Sequence, residues 1–367
     1  MPITPAIIEA ANAFRARILA RERRAASAMV RYYGTAWQRL QGDIRTLSAE
    51  VEAQRLAGTK VLDEDIRDLE RLRAIQAQAE AELRDFAQYA DEAIVAQKRE
   101  SIAAAEREAP ALIEFGLPRG SGVDVSFYRM PRAAVEALAG QLSDGSPLID
   151  VLNKYVDGTV EAFSDTMVTG MVAGWNPRKL AAELRNAYGI GLNDALRLSR
   201  AENLRAYRTA SKTIYQDNAD ILTGWQRHAA KNGRTCMACI MRDGEIYALA
   251  TDMDDHPTGR CAMLPLTKSY AELGIDAPEP QFQDESAREW FERQPEATQR
   301  DMMGSGKFAA WQDGRFTLED IAQKITDPVW GDAWVPRTLY DLLGERAPVG
   351  TYAEWVAGQS EQEDTDA

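Results

Sequence analysis

The sequence predicts a mainly α fold with a small β-hairpin module, an α+β chain led by a long N-terminal helical hairpin or coiled coil. Three observations predict it. Apolar residues recur at three and four through residues 5–109, where glycine is rare until Gly58. Helical patterns with start signals fill much of the remainder. Between about 220 and 267 the pattern changes to short β-type runs separated by turn signals.

Residues 5–56 read as one helix, which LAGTK at 56–60 breaks. A second helix runs on to about 109. Leu62, Ile66 and Leu69 start its apolar stripe, and Arg73 and Gln76 interrupt the register. Ala79, Leu83, Phe86, Ala90 and Ala93 then continue it at 4, 3, 4, 3, the spacing of a heptad seam. Such a stripe needs a partner, and a hairpin with the first helix supplies one.

LPRGSGVDVSF at 117–127 carries Pro118, Gly120 and Gly122 as breakers and reads as a linker. PRAAVEALAGQL, SPLIDVLNKYVDGTVEAFSDTMVTGMVAG and NDALRLSRAENLRAYRTASKTIYQDNA read as helices. Asn176 ahead of Pro177 marks another helix start. ILTGWQRHAA, CIMRDGEIYAL and RCAMLPL read as strands, with Asp243-Gly244 as a type I′ hairpin turn. After Pro278 the pattern is helical, with Ser286 as an N-cap and Thr317 with Asp320 as a near capping box. The expected domains are 1–116, the helical hairpin; 117–130, the linker; 131–275, a core with the hairpin module; 276–346, a helical region; and 347–367, an acidic tail. The 175–270 module is expected to fold without residues 1–57.

The 45% hydrophobic and 27% charged content fit a globular protein. No run of 18 apolar residues is present to span a bilayer, so no membrane partner is expected. The N-terminal apolar stretch has its arginines after it, where a signal peptide has them before, so synthesis and retention in the cytoplasm are expected. A net charge of -14 argues against a protein whose main task is coating nucleic acid. The charge is uneven, however. Residues 1–57 hold nine arginines, no lysine and five acids. Arg15, Arg17, Arg21, Arg23 and Arg24 are candidates for contact with DNA or an acidic partner; the plainer reading is a solvated helix face.

All three cysteines, Cys236, Cys239 and Cys261, fall in one short window with His256, one of two histidines. A Cys-x2-Cys knuckle followed by a second pair is the spacing of a structural zinc site, since the knuckle puts two sulfurs on one side of an ion and the second pair closes the tetrahedron. Cys236, Cys239, His256 and Cys261 are therefore candidate ligands for zinc. The other open reading is small core cysteines beside a hydrogen-bonded histidine. A deaminase would need His-x-Glu, and neither histidine has it. A thioredoxin-type pair would need a helix after Cys239, where a hairpin turn is expected. MGSGKF at 303–308 fails as a phosphate loop, because Asp301 stands at the first glycine and Phe308 follows Lys307. No nucleophile–base pair is legible, so no catalytic residues are assigned.

Three ordered segments resemble the phage Mu F-like family of head morphogenesis, or minor head, proteins. The first is LSRAENLRAYRTASKTIY, with Arg200, Glu202 and Tyr207. The second is GWQRHAAKNGRTCMACIMRDGEIYAL, with Trp225, the two cysteines, Asp243 and Gly244. The third is HPTGRC, with His256, Pro257, Arg260 and Cys261. Together they span about 175–270. Ala201 stands where the family usually has Thr, and Gly259 where its last motif often has a further cysteine. The resemblance implies a virion protein made in the host cytoplasm and bound to the portal vertex inside the capsid. It would act in head assembly and DNA delivery. Its partners would be the portal protein, the major capsid or scaffold protein, and packaged DNA. The alternative is a metal-dependent enzyme or prophage toxin carrying the same module.

Overall fold

The computed structural model describes residues 3–58, 70–256, 259–282, 284–327 and 331–344. Leu62, Ile66 and Leu69, the motif residue Pro257 and the acidic tail 347–367 lie outside the described residues. The chain forms two compact units. One takes Met1–Ala16, Ala105–Arg129 and Arg208–Ala367; the other takes Arg17–Ala104 and Met130–Tyr207.

The second of these units is helical. It holds most of α1 (Pro5–Leu56) and α2 (Glu70–Phe115), then α3 (Arg132–Gly140), α4 (Leu148–Val172), α5 (Pro177–Tyr188) and most of α6 (Ile190–Asp217). The expected hairpin is present. Tyr33 meets Phe86 edge-on at 4.7 Å, Tyr32 stacks on Tyr89 at 4.5 Å, Arg39 pairs with Glu82 at 2.8 Å and Arg71 with Glu50. The seam is not a heptad. On α2 its buried positions are Leu72, Ile75, Ala79, Leu83, Phe86, Ala90, Ile94, Gln97 and Ser101, a repeat of 3, 4, 4. On α1 the same repeat runs through Met29, Tyr33, Ala36, Leu40, Ile44, Leu47 and Val51. Eleven residues in three turns lie close to the natural helical period, so the seam keeps to one side without the under-winding of a heptad. Ile94 replaces the expected Ala93, and Leu72 and Ile75 carry the seam past Arg73 and Gln76.

Asn176 caps α5 as expected, its side chain accepting from Lys179 N at 2.9 Å, with Pro177 in the first turn. Tyr188 ends α5 among the rings of Tyr33, Trp37 and Phe163. Glu202 on α6 is buried and accepts from Lys98 Nζ at 2.6 Å and from Arg205 Nε at 2.9 Å. Arg200 lies 3.7 Å from Glu22.

The other unit contains a three-stranded antiparallel sheet, β2 (Ile246–Tyr247), β1 (Leu222–His228) and β3 (Ala262–Thr267) in that order. Trp225 sits at its centre, opposite both Tyr247 and Pro265, and stacks on the Tyr247 ring at 4.3 Å. The expected Asp243-Gly244 hairpin is corrected. Residues 237–241 form the short helix α7 (Met237–Met241), and the strand after the turn pairs with β1. Two contacts favour this outcome. Cys236 caps the helix, and the Asp243 carboxylate accepts from Ala229 N at 2.7 Å and Ala287 N at 2.8 Å, which ties the turn to the end of β1 and to a later helix.

The C-terminal region is also not wholly helical. Ser286 caps α8 (Ala287–Glu292) in a capping box with Glu289, and α9 (Glu296–Met303) and α10 (Ser305–Gln312) follow. Gly304, with φ 86°, makes the turn in MGSGKF. The capping box of Thr317 and Asp320 starts only a 3-10 turn, Leu318–Ile321. The chain then extends into β4 (Ala322–Asp327), which pairs antiparallel with β5 (Gly331–Pro336) ahead of α11 (Leu339–Leu343). The 117–130 segment has no regular structure, yet it is pinned. Ser126 N donates to Asn218 Oδ1 at 2.8 Å, and Val123, Val125 and Tyr128 pack against the core around Trp225. Residues 1–16 belong to this unit as well: Ile7 and Ala11 pack with Leu112 and Leu264, and Arg15 donates to His228 O at 3.0 Å. Removing residues 1–57 therefore strips part of this core, against the expectation that the module folds without them.

Candidate metal centre

Three short segments of one unit supply the cluster. Cys236 is the N-cap of α7, where its sulfur accepts from Cys239 N at 3.4 Å, so one turn of helix sets the Cys-x2-Cys pair. His256 comes from the loop after β2. Cys261 directly precedes β3, and its carbonyl accepts from Arg208 at 2.8 Å.

The side chains converge. Cys236 Sγ lies 3.0 Å and Cys239 Sγ 3.6 Å from His256 Nε2. Cys236, Cys239 and His256 form one triad whose ligand atoms all lie within 4.8 Å of one another; Cys239, Asp255 and Cys261 form a second that shares Cys239. All four residues singled out from the sequence thus meet in one cluster, as two overlapping triads. In tetrahedral zinc with ordinary bond lengths, S···N edges are about 3.5 Å and S···S edges about 3.8 Å. The Cys239–His256 edge matches that value and the Cys236–His256 edge is about half an ångström shorter, while Cys261 belongs to the second triad through Cys239. The cluster could bind a metal ion.

Asp255 was not legible as part of the site. Its side chain is fully buried, with Oδ2 2.6 Å from Arg208 and Oδ1 2.9 Å from Arg227. Both oxygens are engaged by guanidiniums, which anchor it, and the same carboxylate lies within ligand range of Cys239 and Cys261. Burial works against its charge, but the two guanidiniums hold its pKa below the usual carboxylate value. Arg227 also pairs with Asp254, at 3.1 Å, so two carboxylates face the two guanidiniums beside the cluster.

The thiols differ. The Cys236 pKa is lowered by hydrogen bonding from the Cys239 side chain, against the effect of burial. Those of Cys239 and Cys261 are raised well above normal, chiefly by their hydrogen bonds to Cys236 and Cys239 respectively and by burial. Burial lowers the His256 pKa, which favours the neutral imidazole that a metal requires. Cys239 and Cys261 also belong to a buried apolar cluster with Met237, Ile240 and Phe291.

The C-terminal hairpin braces the ligand loop. Trp334 N donates to Asp254 O at 3.1 Å, Trp334 Nε1 to Asp254 Oδ2 at 3.0 Å, and Arg242, which ends α7, lies 3.9 Å over the Trp334 ring. One tryptophan thus joins the helix carrying Cys236 and Cys239 to the loop carrying His256. Among the other motif residues, Trp225, Asp243 and Gly244 frame the same unit, and Arg260 is half-buried beside Cys261. Arg200, Glu202 and Tyr207 belong to the helical unit.

Of the candidate contact arginines, Arg15 is turned inward, bonded to Asn12 Oδ1 and His228 O. Arg21 is half-buried, with Nε and one terminal nitrogen shielded from solvent. Arg17, Arg23 and Arg24 are exposed. No protein-family model, curated protein or solved structure matches the chain.

Proposed function

We propose that this chain is a minor head protein of a phage or prophage particle, bound to the portal vertex inside the capsid, with zinc on Cys236, Cys239, His256 and Cys261 as a structural staple. The order of the three motif segments carries this reading. The work done by the matched residues supports it. Asp243 ties a turn to two backbone amides, Trp225 fills the sheet core, and Glu202 neutralises two cations within a bundle. These are scaffold roles, and a scaffold is what an assembly protein needs. The long hairpin would act as spacer or clamp.

Mass spectrometry of purified particles, before and after DNA ejection, tests the reading. The chain is expected in full particles in few copies, and its loss should give heads that assemble poorly or fail to deliver DNA. Particles without it, together with unchanged titre on deletion, would overturn the proposal.

One observation favours an enzyme instead: Cys236 Sγ lies 3.0 Å from His256 Nε2, within range of a thiol–base pair. Cys239 approaches the same nitrogen at 3.6 Å, which is the arrangement of chelation rather than of a dedicated base. Rapid alkylation of Cys236 in zinc-loaded protein, with ligand exchange too slow to account for it, would favour the enzyme.

A further inference from the structure

Between Arg15 and Gly42 the chain holds seven arginines and one acid, Glu22, which is buried. The part of α1 from Arg17 to Gln38 lies in the helical unit and spans about 32 Å. One side faces the α2 seam. The other presents Arg17, Arg23, Arg24, Val30 and Arg31, all exposed, with small or neutral side chains between them on one continuous face. Its composition is unusual for a chain of net charge -14: arginines and small residues, with no acid. Arg23, Arg24 and Arg31 make no bond to a carboxylate among the described residues. A side chain at Gly34 would meet nothing within 4 Å, so the surface there is open.

We infer that this face binds the phosphate backbone of duplex DNA, without sequence preference. Two features favour DNA over an acidic protein. Protein interfaces draw affinity from aromatic and arginine anchors buried together in packed pockets, whereas the exposed residues of this face include no aromatic ring and Val30 is their one sizeable apolar side chain. Affinity must therefore come from charge, as it does when arginines displace counter-ions from phosphates. The small residues also leave the helix surface smooth, so a wide, regular polyanion can approach along its length. From Arg17 to Arg31 the helix rises about 21 Å, alongside which a duplex carries about 12 phosphate charges. Arg31 joins the set, while Arg15 and Arg21 leave it.

The inference rests on the head-protein reading only for where the chain would meet DNA. Its test uses the purified full chain and a labelled duplex of about 30 base pairs, with anisotropy followed from about 50 to 200 mM salt. Binding should weaken steeply, with a log–log slope of about -3 to -4 for three or four phosphate contacts. The R23Q/R24Q/R31Q variant, altered only at exposed positions, should keep its thermal midpoint and flatten that slope by about 2 to 3. Absence of salt-dependent binding, or a folded variant that binds like the parent, overturns the inference. Binding to polyglutamate but not to duplex also overturns it and assigns the face to an acidic protein. Particles lacking the chain would end the head-protein reading and leave this result untouched; a particle-borne chain with no affinity for duplex would do the reverse.

Discussion

The carboxylate of Asp255 fills the space that any side chain at residue 259 would need: a methyl group on Gly259 would lie 2.0 Å from Asp255 Oδ1. The φ of Gly259 is not in the left-handed region, so the backbone does not call for glycine there; the carboxylate does. Where the resembling motif often has a further cysteine, this chain has a buried anion held by two arginines.

Gly259→Ala should therefore push Asp255 away from Arg208 and Arg227. Overpacking of this kind costs roughly 1–3 kcal/mol, and disturbing an anchor behind metal ligands lowers affinity about 10–100-fold. Thermal unfolding and competitive zinc titration read the two effects. An unchanged midpoint and affinity would show that the carboxylate is not fixed where the structure has it.

Purified chain should carry about one zinc ion. Cys236→Ser should lose the ion and lower the melting temperature, and a chelator should do the same to the parent protein. Metal analysis that finds none, with stability indifferent to chelator, returns the cysteines to a role as core side chains.

His228 gives a pH dependence of known sign. Burial, followed by Arg15 and Lys231, pushes its pKa from 6.5 down to about 3 in the folded protein. Between those values the unfolded chain binds the proton and the folded one does not, so stability falls as pH drops through that window. The slope approaches about 1.4 kcal/mol per pH unit. His228→Gln should remove this contribution, seen as a flatter difference curve in urea unfolding from pH 7 to pH 4 (roughly the window in which the two forms differ). Parallel curves for parent and variant would refute it.

Glu202 accepts from both Lys98 and Arg205, so the two sides of the network are unequal. Glu202→Leu leaves two cations without their carboxylate and should cost roughly 3–5 kcal/mol. Lys98→Met leaves Glu202 paired with Arg205 and should cost less. Equal losses in chemical denaturation would contradict this ordering.

What the sequence made legible was local. Asn176 ahead of Pro177 and Ser286 ahead of Glu289 are short-range capping signals, and both form. The four metal-ligand candidates share one window, and the fold gathers them. What escaped was set by distant partners. Asp255 is defined by Arg208, 47 residues earlier, and Arg227, 28 residues earlier, which no local pattern links. The Cys-x2-Cys segment carries β-type residues but forms a helical turn, which Cys236 caps by accepting from Cys239 N, while Asp243 ties the following turn to the amides of Ala229 and Ala287. Residues 322–327 follow a helix-start signal yet extend, because β5 pairs with them. The 3, 4, 4 seam was within reach of the sequence, but a heptad template hid it by skipping Leu72, Ile75 and Ile94.

That seam acts as a ruler. Eleven residues advance a helix by about 16.5 Å and return it to nearly the same rotation. Matched insertions of eleven in both arms would lengthen the hairpin while keeping the apolar seam inward and the arginines outward. An insertion of one residue would turn everything beyond it by about 100°. Arm length in this protein can therefore change in discrete steps, and reach and facing direction are inherited together.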